Sequence, residues 1–261
     1  MIGFSDNKDE VVSSGERWWD RLKKKQIKLI VDVAMTVLLP MLMAYAMIGE
    51  KFHEVVGSVM LLLFILHHIL NRKWYPALFT PKRAGGMSGG HSGRKGKYSA
   101  RRIFQAALDI ILIVIMIMQP ISGILMSKHL YTFIKVQGIS ATAREVHMCL
   151  AYWGFVLMCV HAGTHLTTPF SKLRRDKKGL WAGIHIAWFA ASVYGCIAFV
   201  KRNLADYMFR KTVFVFFDYS EPKAHFFLDY AAMMLLFMFA GYIVVSVLAR
   251  VGINSVDHGT D

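Results

Sequence analysis

Two apolar stretches of the chain carry histidines at the same interval. FHEVVGSVMLLLFILHH (52–68) contains His53 and His67, and HMCLAYWGFVLMCVHAGTH (147–165) contains His147 and His161, fourteen residues apart in each pair. On an α-helix that interval rises about 21 Å and stops about 40° short of four full turns, so the two histidines of each stretch share one face. Histidine is costly in hydrocarbon and needs a reason to be there. Two parallel helices that present a histidine at the same two depths can clamp two flat macrocycles by axial ligation of iron, the chemistry of two haem b groups (iron-protoporphyrin IX). Structural zinc fits less well, because it takes four ligands and each level offers two. A single intramembrane histidine serves as readily to hydrogen-bond a neighbouring helix; four at matched spacing point to iron.

The register has competitors. His68 lies about 60° from His53, on the other side from His67, and His165 lies five turns from His147, on the face of His161. His67 and His161 are preferred because they alone give both helices one interval, which leaves His68 and His165 as candidates for propionate or quinone contacts. Gly154 stands midway between His147 and His161 and Gly57 one turn from His53; each leaves room for a macrocycle, or for close helix packing. Cations for the propionates occur at both ends, Lys51, Lys128 and Arg144 at one and Arg72, Lys73, Arg101 and Arg102, with Trp74, at the other. His185, in GLWAGIHIAWF, is a candidate third-helix ligand or an interfacial residue. Two acids, Asp32 and Asp109, also fall in apolar stretches. Each is placed to accept the free ring N–H of His67 or His161 and fix its tautomer, to take a proton from a quinol, or to pair with Lys28 or Arg102.

Long helices must position these groups. The 261 residues are 55% hydrophobic, yet carry 31 Lys and Arg against 17 Asp and Glu, and the mean hydropathy is +0.41. That combination suits a membrane bundle with basic loops and excludes an ordinary soluble domain. No nucleic-acid motif accompanies the charge, so nucleic acid is not an expected partner; membrane lipid is. Six stretches reach the roughly 20 residues that span a bilayer: 28–48, 52–71, 103–126, 146–168, 180–200 and 226–248. The fold class expected is all-α, a polytopic membrane protein of six transmembrane helices. Of the 31 Lys and Arg, 22 fall at segments that a cytoplasmic N-terminus would leave inside, which puts both termini in the cytoplasm of a bacterial membrane. The N-terminal segment is too long and polar before its first apolar run to read as a cleaved signal peptide. Cys149, Cys159 and Cys196 all lie in apolar runs without CxxC or CxxCH spacing and read as small buried hydrophobes.

An internal repeat organises the chain. Spans one and two, and again three and four, run through basic residues, an acid (Asp32, Asp109), a glycine (Gly49, Gly123), then His and His. Two parallel hairpin repeats form a four-helix haem-binding bundle. The domain organisation expected is a basic N-terminal segment 1–27, a dihaem core 28–168, and two further helices in 169–249 with a tail 250–261. The core divides into repeat one (28–71), a Gly-rich basic linker (72–102) and repeat two (103–168), and 201–225 reads as an outer interfacial segment.

SGILMS (122–127), the stretch REVHMCLAYWGFVLMCVHAGTHL, and FHEVVG with LFILHHILNRKWY resemble a bacterial membrane cytochrome b-like family, over roughly 28–168. The resemblance implies kinship with the haem cores of ferric reductases, formate dehydrogenase cytochrome subunits and respiratory cytochromes b, and implies His53, His67, His147 and His161 as ligands. No GxGxxG follows a strand and opens a helix, so electrons must come from a separate redox partner protein or from quinol. The function expected is electron transfer through two b haems, as a subunit of an oxidoreductase, between a quinol or cytosolic flavoprotein and an outer-face acceptor. Homo- and hetero-oligomers are both compatible with it. A histidine-lined transporter or metal-handling protein is the rival, disfavoured because spans two and four are otherwise almost wholly apolar; a membrane anchor of a redox complex is compatible with haem.

Overall fold

The computed structural model describes residues 7–79, 99–134, 138–212, 214–215 and 217–257, the stretches 7–22, 77–79 and 251–257 and Ser140 as backbone only. Most of the expected linker (80–98) and the extreme termini lie outside these residues. The described residues form ten helices and no strand: α1 (Asn7–Met43), α2 (Tyr45–Ile48), α3 (Glu50–Leu70), α4 (Trp74–Phe79), α5 (Ala100–Met126), α6 (Ser140–His165), α7 (Thr167–Asp176), α8 (Lys178–Lys201), α9 (Leu204–Met208) and α10 (Lys223–Asp257). Six of them, α1, α3, α5, α6, α8 and α10, contain stretches long and apolar enough to cross a membrane. Their outward faces carry large apolar side chains such as Leu29, Leu62, Ile186 and Val200, as hydrocarbon solvent demands.

The helices pair as hairpins. α1 lies along α3 and α5 along α6, with α3 also touching α5; α10 packs on α6, α8 and, less, α5. The first hairpin turns differently from the sequence expectation of one span over 28–48. Helix α1 stops at Met43, one turn after Pro40, and the short α2 leads to Gly49, whose φ of +83° is accessible mainly to glycine. Residues 167–176 form α7 against α8, and part of the expected interfacial segment folds back: Leu204, Tyr207 and Met208 of α9 are buried beneath α6. Alternating aromatic and charged residues conceal this, because one helical turn is too short to show a period.

The apolar core lies behind the histidine face of α6. Tyr152, Phe155, Val156 and Cys159 follow one another at helical spacing and meet Phe226, Tyr230 and Met233 of α10. The helices approach so closely that a methyl group on Gly163 would overlap the Met238 carbonyl, and one on Gly241 the Val160 carbonyl, which is small-residue packing of membrane helices. At the far end of α8 and α10, fully buried Asp229 binds Tyr194 (2.5 Å), Lys201 (3.0 Å) and Arg202 (2.8 Å), with Glu221 joining the same two cations. The three cysteines are free; Cys159 is buried, Cys149 donates to the Met208 carbonyl, and Cys196 is exposed on the α8 surface, against the expectation that all three are buried.

Gly163→Ala should lower the thermal unfolding midpoint in detergent, corresponding to about 1–3 kcal/mol of overpacking, whereas Gly183→Ala, where a methyl meets open space, should leave it nearly unchanged. The hydrogen bond from Arg202, aided by Lys201, holds the Glu221 carboxyl below its usual range. Such a group stabilises the fold above its unfolded pKa, about 4.3, and loses that contribution as pH falls through the folded value. The midpoint should therefore fall on acidification below about pH 4, and fall less in Glu221→Gln.

Candidate functional site

Helices α3 and α6 run parallel without packing closely on each other, and their histidines project into the space between them. At one end the rings of His53 and His147 stand 6.2 Å apart between centroids. Two imidazoles sharing one iron through metal–nitrogen bonds of about 2 Å have centroids about 6 Å apart, so the spacing fits a shared metal. His147 Nδ1 lies 3.1 Å from the backbone carbonyl of Gln119 and 3.1 Å from Ser122 Oγ, and its Nε2 is 3.2 Å from the Gln119 amide nitrogen. With the proton on Nδ1, donated to that carbonyl, the lone pair sits on Nε2. Gly123 packs edge-on to this ring, so that an added methyl would stand 3.1 Å from it. His53 Nδ1 is buried and makes no hydrogen bond, with only a loose backbone contact to Leu42. Gln119 Oε1 is likewise buried without a partner. Orphaned polar atoms of this kind are unusual in a finished interior and mark a place where a further group belongs.

At the other end each histidine meets a carboxylate across its own hairpin. Asp32 Oδ1 of α1 is 2.7 Å from His67 Nδ1 of α3, and Asp109 Oδ1 of α5 is 2.6 Å from His161 Nδ1 of α6. A carboxylate is acceptor-only when ionised, so both contacts put the proton on Nδ1 and the lone pair on Nε2. Lys28 bonds Asn71 instead of Asp32, at 2.7 Å. His68 donates from Nδ1 to the Phe64 carbonyl, 3.0 Å, and His165 lies edge-on to His161 with centroids 4.8 Å apart. Each stands within electrostatic reach of His67, His161 and Asp109, so the four histidines form one cluster with the two acids. Among the described residues no three His, Cys, Asp or Glu converge as a metal-binding group; the donors come in pairs, which suits axial ligation of a macrocycle better than a closed zinc site.

The remaining sequence candidates divide. A methyl group added to Gly57 would stand 3.9 Å from Leu42 and one added to Gly154 3.3 Å from Ile115, side chains of the hairpin partners α1 and α5. Arg144 is exposed one turn before His147 and Arg72 is exposed just past α3. His185 stands apart from the pairs. Its Nδ1 is 2.9 Å from the Trp181 carbonyl and its Nε2 3.2 Å from the Tyr242 hydroxyl, and its ring packs among Phe170, Trp181, Trp188 and Tyr242. An iron ligand from α8 would have to leave all of these.

Sequence reasoning missed Gln119, Ser122 and Glu54. A polar Gln–Pro step inside an apolar span is a visible signal for the first two. Glu54, next to His53, fastens the loop after α5: its carboxylate accepts from Ser127 Oγ (2.7 Å) and from the backbone N–H groups of Lys128 (2.9 Å), His129 (3.3 Å) and Leu130 (2.8 Å). Loss of such charge-assisted bonds costs roughly 1–3 kcal/mol. Glu54→Ala should accordingly speed trypsin cleavage after Lys128 several-fold in the detergent-solubilised protein, with helix content unchanged by circular dichroism.

Comparison with known proteins agrees with the geometry. A family model described as prokaryotic cytochrome b561 matches residues 29–175, more than half of the chain. Neither the curated proteins nor the solved structures searched gave a match. The matched span contains both histidine pairs and both acids, and it accords with the resemblance to bacterial membrane cytochrome b-like proteins. The chain belongs to the prokaryotic cytochrome b561 family and is a multi-pass membrane b-type cytochrome, binding haem b and acting in electron transfer.

Proposed function

We propose that the chain carries two b haems, that His53 and His147 would hold one and His67 and His161 the other, and that it serves electron transfer between the membrane faces. The observation that carries this is the matched pair of imidazole–carboxylate contacts, Asp32 to His67 and Asp109 to His161, which leaves two Nε2 lone pairs at one depth. Bis-imidazole iron supplies one-electron transfer when bound. The chain supplies the rest. Asp32 and Asp109 orient their rings, fix the tautomer and raise imidazole basicity, which favours oxidised iron. His147 has only a neutral carbonyl for this purpose and His53 no firm partner, so the two ends differ in the same sense. With haem held at both ends, the two carboxylates would set the lower potential at the His67 end.

The excess of Lys and Arg supports a cytoplasmic His67 end, with both termini on that side. The donor is then a quinol or a cytosolic flavoprotein, and the acceptor an outer-face flavoprotein, metal ion or quinone. Arg72 and Arg144 provide cations for propionates at the two ends, Gly57 and Gly154 let α3 and α6 lie close to α1 and α5, and His68 and His165 border the place where quinone would meet the inner pair. Service as the membrane subunit of a larger redox complex is the same chemistry with a fixed partner. A transport path is less well supported, since α3 and α6 offer no continuous polar face between the two histidine levels.

Reduced-minus-oxidised spectra with a haem-to-protein ratio test the stoichiometry: about two b haems per chain are expected for four ligands. His53→Ala or His147→Ala should remove one and spare the other, and His67→Ala or His161→Ala the converse; full haem content in any of them would overturn the pairing. Asp32→Asn or Asp109→Asn should retain both and raise the lower midpoint potential by on the order of 50 mV in a redox titration, leaving the higher one in place.

A further inference from the structure

At the end of the bundle that carries His67 and His161, the start of α5, helix α7, the start of α8 and the 242–250 stretch of α10 line an open cavity of about 700 Å³ that the histidine cluster does not use. Arg101, Arg174, Arg175, Lys178 and Arg250 line it, and among the described residues no carboxylate does. Asp176 offsets one of the five, through Arg175 Nε at 3.2 Å. Arg101 reaches Thr167 Oγ1 at 3.4 Å, and the Arg174 guanidinium lies 5.2 Å from the centroid of the Trp181 ring. Trp181 also forms part of the wall, and its indole Nε1–H is buried with no acceptor among the described residues. Buried donors left unmet are rare, and this one sits among cations that would themselves attract the missing acceptor. Phe170, Val245 and Ala249 make the rest of the wall apolar.

Basic residues gather at the cytoplasmic ends of membrane helices for insertion alone. That rule does not call for a concave site, nor for a stranded indole donor inside it. We propose that the cavity binds the phosphate-bearing headgroup of an anionic phospholipid, its phosphate oxygens accepting from the arginines, Lys178 and Trp181 Nε1, and its first acyl carbons covering the apolar wall. The volume falls in the range of small-ligand sites, about 300–1,000 Å³, and basic pockets between helices on the cytoplasmic side are suited to such headgroups. Inorganic phosphate shares the charge chemistry but leaves the apolar wall bare. The lipid fits both halves of the site and ties α5, α7, α8 and α10 together beside the inner histidines.

The test is native mass spectrometry of the haem-loaded protein in mild detergent, titrated with phosphatidylglycerol or phosphatidylcholine. Phosphatidylglycerol should bind as a saturable adduct and phosphatidylcholine should not. Arg174→Gln/Lys178→Gln should weaken binding roughly thirtyfold, at about tenfold or less per surface cation. Trp181→Phe keeps the ring and removes the donor; it should weaken binding several-fold, and reads the site on its own if the double variant does not fold. Equal binding of the two lipids, or undiminished binding by the variants, would overturn the proposal. Full displacement by equimolar inorganic phosphate would do so too, assigning the cavity to a free anion.

Discussion

In each hairpin a carboxylate and an imidazole meet between two apolar helices, Asp109 largely covered and Asp32 half-exposed, and each is the other's partner. The Asp32–His67 and Asp109–His161 contacts, at 2.7 and 2.6 Å, are the most demanding polar interactions near the histidine cleft, because an unpaired charge in such surroundings is expensive. They fix the rotation of α1 against α3 and of α5 against α6. Once those rotations are set, the second histidine of each helix, His53 or His147, can only face the same cleft.

The two hairpins repeat this contact but not the surroundings of the other histidine. His147 is gripped by Gln119 and Ser122 of its partner helix, with Gly123 making room for the ring. The equivalent position beside His53 offers only the α1 backbone near Leu42 and the edge of Tyr45, 5.3 Å away. Divergence is thus concentrated at one depth, where the loop pinned by Glu54 joins the halves across the top of the cleft.

Much of this was legible beforehand. Twenty-residue apolar runs announce membrane helices whatever their neighbours, but polar turns such as SATAREV extend the helices beyond their apolar parts, and α1 from Asn7 and α10 to Asp257 run well outside the expected spans. The fourteen-residue interval showed which histidines share a face. The partners of those histidines were harder. Asp32 was visible as an acid at a matching depth, but its choice of His67 over Lys28 depends on helix rotation, which no one-dimensional pattern encodes. The burial of α9 and the isolation of His185 among aromatics depend on how α8 and α10 dock, and that docking is decided by Gly163, Gly195 and Gly241, residues whose spacing alone suggests several interfaces.

Carbonyl-to-glycine contact between α6 and α10 has a bearing on how the molecule is made. Those two helices, with α8 and α5 alongside, form a wall too tightly meshed to part and readmit a bulky guest. The hairpin of α1 and α3 touches that wall mainly along α5 and has no comparable interlock. The molecule is therefore built as one interlocked half bearing His147 and His161 and a more lightly attached half bearing His53 and His67.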